Sequence, residues 1–364
     1  MKNMNLRNAF VAFFAAGLFS MAPVSAAYNN CDPCSNSCGD CCPDWCGGFD
    51  IGADFLYWKP CISNLDYAFL NSAAFAADTS TSGHYKYIDP CWEPGVRGYI
   101  SKKDVWCDWM LMGSYTYIHS TESARTNTTT VNALSSTLLN RTYAATQATG
   151  PVYAKGTHKL QYHSFDILLA KEYCPCPCQT LTPFFGVEYV YMDHMINSKI
   201  YDSASTPNYN ATRWDSDFWG VGLKMGSMYN YEICDCFGLF AKASGTLLTG
   251  SHCDTNHQRE LVGTETAGAL KRELVGTETA GALKDDACLC VPGWHIAVGL
   301  TYTDCYCGWD FQARLGYEFL QWYGVPNPRR FFGVDSTNAL AQSTSPTTTN
   351  VGFHGLLAGF SVSF

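Results

Sequence analysis

Residues 309–319 read WDFQARLGYEF, and their alternate positions form two unlike sets. Trp309, Phe311, Ala313, Leu315, Tyr317 and Phe319 make one set; Asp310, Gln312, Arg314, Gly316 and Glu318 make the other. A period of two is the geometry of an extended strand whose faces meet different surroundings. The split recurs in GFDIGADFLYW (48–58), where Phe49, Ile51, Ala53, Phe55 and Tyr57 oppose Asp50, Gly52 and Asp54. It recurs in PFFGVEYVY (183–191), FWGVGLKMG (218–226) and GWHIAVGLTYT (293–303). Such strands run to about nine to eleven residues, the length a tilted strand needs to cross a bilayer, whereas soluble sandwiches favour about five or six. Their aromatics gather near the ends, where interfacial girdles belong. The polar set repeatedly carries charge, which a dry sandwich core would hold only at high cost. The pattern therefore predicts an all-β fold, an antiparallel transmembrane β-barrel.

The rest of the chain agrees with export. Residues 1–26 combine a basic start (Lys2, Arg7), an apolar run from Ala9 to Met21 and small residues at Val24-Ser25-Ala26, the layout of a secretory signal peptide. The apolar run is too short to span a membrane as a helix. The formal charge of −9 becomes −11 without those two cations, which argues against nucleic acid, whose partners carry a basic stripe. The final strand, GLLAGFSVSF, places Leu356, Ala358, Phe360, Val362 and Phe364 on one face and closes on an aromatic. That ending resembles the assembly strand read by the barrel assembly machinery of bacterial outer membranes.

Ten strands are legible, near 48–58, 94–101, 106–118, 160–172, 184–192, 217–228, 237–248, 293–303, 309–320 and 354–364. Long connections follow the odd-numbered strands and short ones the even, matching external loops and periplasmic turns. Ten is a minimum in a range of 10–16, because connections 59–93, 119–159 and 249–292 are long enough to hide further hairpins. The domains expected are a signal peptide (1–26), a cysteine-rich periplasmic segment (27–46) and the barrel (47–364). Inward charges comprise Asp50, Asp54, Asp108, Asp166, Glu188, Asp310 and Glu318 against Arg97, Lys224, Lys242 and Arg314. A water-filled lumen with that excess of acid predicts a mild cation preference. Arginine at outward Val221 or Val298 is expected to be costly. At inward Gly222 or Gly299 it is expected to be milder, because the lumen is wet.

Nineteen cysteines make up the second pattern. Cys31, Cys34, Cys38, Cys41, Cys42 and Cys46 crowd the N-terminal segment. Cys107, then Cys174, Cys176 and Cys178, then Cys234 and Cys236, then Cys305 and Cys307 fall in the four short turns, so fourteen lie on the periplasmic side. Cys61, Cys91, Cys253, Cys288 and Cys290 fall in the external connections. Zinc would want CxxC pairs about fifteen to twenty residues apart, and the N-terminal pairs are only three apart. An odd count in an exported chain instead suggests an intermolecular bond or a free thiol.

A cysteine-rich exported barrel with a CPCPC turn and a terminal aromatic resembles the cysteine-rich major outer membrane proteins of chlamydia-like bacteria. The relation extends to the pore-forming outer membrane proteins of Legionella, whose opening strand GFDIGADFLYWKP is similar to. The resemblance covers most of 47–364 in layout and short stretches in wording. It implies a porin for small hydrophilic solutes, embedded in outer-membrane lipid, that also stiffens the envelope through disulfides to its own copies or to other cysteine-rich envelope proteins. A barrel-anchored adhesin and an outer-membrane hydrolase are the alternatives. No cofactor or metal is expected. The sequence has no HExxH, GxSxG or P-loop spacing; His163, Asp166, Asp193 and His194 are the residues a hydrolytic site at the outer rim would use. A tandem repeat, RELVGTETAGALK at Arg259–Lys271 and again at Arg272–Lys284, reads as a duplicated loop insertion.

Overall fold

The structure, a computed structural model, describes residues 48–71, 83–106, 108–129, 134–138, 153–176, 178–201, 209–234, 236–261, 281–306, 309–332 and 343–364. The signal segment and the six N-terminal cysteines lie outside the described residues, as do Cys107 and Cys307.

Ten long strands form one antiparallel sheet. They are β1 (Phe49–Ile62), β4 (Glu93–Trp106), β5 (Trp109–Asn127), β7 (Tyr153–Lys171), β9 (Gln179–Tyr201), β10 (Tyr209–Cys234), β11 (Phe237–Leu261), β12 (Gly281–Tyr306), β13 (Trp309–Phe332) and β14 (Ser343–Ser363). The order runs from β10 through β14 to β1, β4, β5, β7 and β9, and the pairing of β9 with β10 closes the ring. A short strand, β8 (Tyr173–Cys176), decorates the turn before β9. Closure leaves no edge strand exposed in lipid, the condition a spanning sheet must meet. First and last strands meet at one rim, where Phe49 and Phe364 exchange backbone hydrogen bonds of 2.8 and 2.9 Å.

All ten strands expected from the alternation are present, and most are longer than expected. β10 and β12 each reach 26 residues, well beyond what a bilayer requires. The suspected hidden hairpins do not join the barrel. Strands β2 (Asp66–Asn71), β3 (Gly83–Tyr87) and β6 (Leu134–Ser136) form a separate three-stranded sheet at the end opposite the termini. Four of the five cysteines assigned to external connections lie on strands instead: Cys61 on β1, Cys253 on β11, Cys288 and Cys290 on β12. The tandem repeat starts at the end of β11 and finishes within β12, and its middle lies outside the described residues.

The outward face sorts by chemistry along the strands. Val96, Ile167, Val187, Val221, Leu223, Val298 and Leu315 stay exposed and form an aliphatic band. Below it, Phe49, Trp309 and Phe364 stack side by side near the termini, with Phe237 against Tyr302. Above it, Tyr57 stacks on Trp92, and Tyr115, Tyr117 and Tyr191 gather around His163. An apolar band between two aromatic girdles is the outer surface of a barrel in lipid.

The inner glycines correct one expectation. A Cβ on Gly222 would collide with the Leu247 carbonyl, and one on Gly299 with the Leu315 carbonyl. These positions have no room to spare, so wetness is irrelevant there. Val221→Arg is expected to cost about 2–4 kcal/mol in a lipid-vesicle unfolding titration. Gly222→Ala, although it adds one methyl group, is expected to destabilise as well; a neutral result would mean that the backbone there is loosely packed.

Candidate functional site

The interior is built in layers, visible by following one strand. Along β9 the buried positions climb from Thr182 and Phe184 through Glu188, Val190 and Met192 to His194, Ile196, Ser198 and Ile200. Neighbouring strands follow the same order, so chemistry changes with depth.

Nearest the termini is a vestibule of about 330 Å³, lined among others by Asp50, Tyr99, Lys103, Glu172, Asn230, Lys242, Thr303, Asp310 and Arg314. Beyond it lies a charged layer. Lys224 Nζ sits 2.9 Å from Asp166 Oδ1 and 3.2 Å from Glu188 Oε1. Ser114 donates to Asp166 at 2.9 Å, while Ser164 and Thr246 donate to Glu188 at 2.8 and 2.6 Å. Further round the ring, on β4, β1 and β13, the Arg97 guanidinium reaches Glu318 at 3.1 Å and Asp54 at 3.5 Å, and Arg314 reaches Asp54 at 2.8 Å. Trp58 Nε1 donates to Glu318 at 2.9 Å, and His295 Nε2 lies 2.8 Å from the same carboxylate. The residual space among these side chains is about 20 Å³, room for roughly one water.

This layer revises the expectation of a wet lumen. Asp54, Asp166, Glu188, Lys224 and Glu318 do face inward, but they are buried and held by partners. Isolated buried ions are very costly, so pairing and hydrogen bonding are what make the arrangement tolerable. Four acids (Asp54, Asp166, Glu188, Glu318) meet four bases (Arg97, Lys224, Lys242, Arg314), and the layer is formally neutral. Asp108 is corrected outright: it lies in the turn after β4 at positive φ, exposed, 3.4 Å from Lys171. Asp50 and Asp310 line the vestibule.

The third layer is apolar. Leu56, Trp58, Ile118, Tyr162, Met192, Phe218, Leu248, Val291, Trp322 and Phe353 pack together across the bore, each almost fully buried. Trp58 and Tyr162 both contact the Phe353 ring, with centroids 5.4 and 5.0 Å apart. Sequence reasoning passed over this plug, yet a signal exists. At Phe55-Leu56-Tyr57-Trp58 the alternation lapses into a continuous apolar run, as a strand does when both of its faces meet apolar surroundings.

A polar layer with His158, His194, Ser216, Asp254 and Asn256 follows, and then a second apolar cluster under the small sheet. There Tyr67 lies directly on Gly156, where a Cβ would collide with its ring. Ser198 donates to the Tyr67 carbonyl at 2.7 Å, and Thr137 to the Asp66 carbonyl at 2.8 Å. The small sheet is thus a lid fastened inside the outer mouth.

The four residues a hydrolytic site would use are not brought together. His163 and Asp193 point outward, His163 bonding Tyr115 at 2.8 Å and Asp193 standing opposite Asp217 on the barrel wall. Asp166 is locked to Lys224, and His194 lies two layers further along. Of the rim cysteines, Cys174 and Cys234 are exposed free thiols, whereas Cys236 and Cys305 are half-buried. On the last strand Leu356, Phe360 and Phe364 are exposed and Val362 is half-buried.

A closed antiparallel barrel with girdles and a lipid face defines an outer-membrane β-barrel protein. The chain belongs to the family described as Legionella pneumophila major outer membrane protein precursor, which it matches over residues 41–364. No curated protein matches it. Among solved structures it is similar to the outer membrane protease OmpT from Escherichia coli (8% identity, TM-score 0.40, 87% of this chain and 96% of that one). It is also similar to a major outer membrane protein from Thermus thermophilus (9%, 0.30, 87% and 99%) and to the CymD monoaromatic hydrocarbon channel (8%, 0.33, 87% and 88%).

Replacing Lys224 by Met would strand Asp166 and Glu188 beside each other. A loss of about 3–5 kcal/mol is expected in urea titrations of the lipid-embedded protein. Most of it is expected back on adding Asp166→Asn and Glu188→Gln. A single variant within about 1 kcal/mol of the parent would mean that water screens this layer.

Proposed function

We propose that the protein is an outer-membrane porin for small hydrophilic solutes whose resting state is closed. The observation that carries this reading is the inner face itself. Polar and charged side chains line it from the vestibule inward, and a single apolar layer separates the charged layer from the polar one above. Solutes pass when the plug side chains and the lid move aside; the ring of strands stays intact. The field that selects ions then sits at the mouth, where Asp50 and Asp310 oppose Lys103, because the deeper charges cancel. In planar bilayers, brief small conductance steps are expected from the parent, and larger ones from Trp58→Ala combined with Trp322→Ala. Folded protein that never conducts, in either form, would overturn the porin reading. Asp310→Asn is expected to shift the reversal potential toward anions, and an unmoved potential would place selectivity elsewhere.

The same protein, in this reading, reinforces the envelope through its periplasmic cysteines, as in the cysteine-rich porins it resembles. The described ones lie at strand ends around one rim, Cys174 on β8, Cys234 closing β10 and Cys305 near the end of β12, and Cys174 and Cys234 are presented to solvent there. The segment 27–46 adds six more on a Gly-, Asn- and Ser-containing tether. Non-reducing gels of native envelopes are expected to show a ladder that reductant collapses, and deletion of 31–46 is expected to remove most of it. A monomer without reductant would contradict the crosslinking role.

A further inference from the structure

The polar layer beneath the lid contains a pair of histidines that the porin reading does not use. His158 on β7 and His194 on β9 are buried with ring centroids 4.7 Å apart in an edge-to-face arrangement. All four ring nitrogens are buried without a hydrogen-bond partner among the described residues. An unsatisfied buried polar atom costs about 1–3 kcal/mol, and the two rings bring four such atoms together at one place in the described interior.

The pair lies at the junction of the two apolar clusters. Leu160, beside His194 in the ladder, belongs to the plug; Ile196, beside His158, belongs to the cluster under the lid. Two residues before His158 is Gly156, on which the Tyr67 ring of the lid rests. Movement at the pair is therefore communicated to both obstacles in the bore.

We propose that His158 and His194 form a proton-operated latch: gaining a proton at either ring loosens the lid and opens the outer half of the bore. As a gate for solutes the latch rests on the porin reading; as a structural transition it does not. The strands packed around the pair bring titratable and polar groups to the same level. β5 contributes Glu122, opposite His158 and engaged with Cys91. β10 contributes Ser216, opposite His194, and β11 contributes Asp254, with His252 bonded to the Ala287 carbonyl. Among the described residues no carboxylate stands within ion-pair distance of either ring, so none of them serves as counter-ion to a proton there in the closed state.

Both rings lie beyond the outer aromatic girdle, outside the lipid-spanning segments. Burial holds His158 well below the usual histidine range and brings His194 down to about 4. The opened state, with solvated imidazoles near 6.5, binds more protons than the closed one. Closed-state stability is therefore full above about pH 6.5 and falls as pH drops toward 4, by up to about tenfold per pH unit for each ring.

Amide hydrogen exchange of the protein in lipid nanodiscs, corrected for intrinsic pH dependence, tests this. Between pH 7.5 and 5.0, protection of residues 66–71, 134–136 and 153–160 is expected to fall at least about tenfold, while the lipid-level segments of β4 and β5 stay protected. His158→Phe combined with His194→Phe is expected to abolish the response in protein that still shows heat-modifiable migration. His194→Gln serves as a gentler variant, expected to reduce it. A pH-independent parent, or an undiminished response in the folded variants, would overturn the latch. Exchange that responds while bilayers stay silent would sink the porin reading and leave the latch standing. Conductance that ignores pH while exchange responds would leave the transition standing and overturn its role as a gate.

Discussion

Closing ten strands into a ring makes a bore of intermediate width, and the interior follows from that constraint. About eight strands leave a space that side chains just fill, whereas sixteen or more leave an aqueous channel. In this barrel, inward side chains from strands that are not neighbours meet. Arg97 of β4 reaches Glu318 of β13, and Trp58 of β1 reaches the same carboxylate across 260 residues of sequence. Once inward side chains meet one another instead of water, most inward charges are held by partners, Lys242 rests over the Phe184 ring, and apolar groups collect in layers of their own. The alternation of charged, apolar and polar layers is the outcome.

The outer wall is simpler because lipid imposes one rule over the whole band. Each outward residue can be read by itself, and β1, β9, β10, β12, β13 and β14 were recognisable from single peptides. The lower and upper girdles were legible for the same reason. Strand ends above the membrane were not legible. Residues such as 153–159 or 193–201 alternate between a solvent-side and an interior face that both accept polar groups, so the contrast that marks a strand in lipid is missing. The cysteines at 61, 253, 288 and 290 were misplaced on that account.

Inward function was only partly readable. Orientation of Asp54, Asp166, Glu188, Lys224 and Glu318 follows from parity, but whether water or another side chain meets them depends on strand count and register. Those are properties of the closed ring. Asp108 failed because parity stops at a turn. Trp58, Tyr162, Trp322 and Phe353 were overlooked because an inward aromatic in an alternating strand looks like a lapse until opposite walls are seen to converge. The buried histidines could not be paired from sequence, since 36 residues and a periplasmic turn separate them.

The interior at the charged layer is a dry, paired filling rather than a wet lumen. A double-mutant cycle between Arg97→Met and Glu318→Gln, measured by unfolding of the lipid-embedded protein at low and high salt, tests it most directly. A coupling energy of about 2 kcal/mol or more that persists in about 1 M salt is the expected result, because a buried pair is poorly screened. Coupling below about 1 kcal/mol that fades with added salt is the behaviour of exposed ions and would contradict the account.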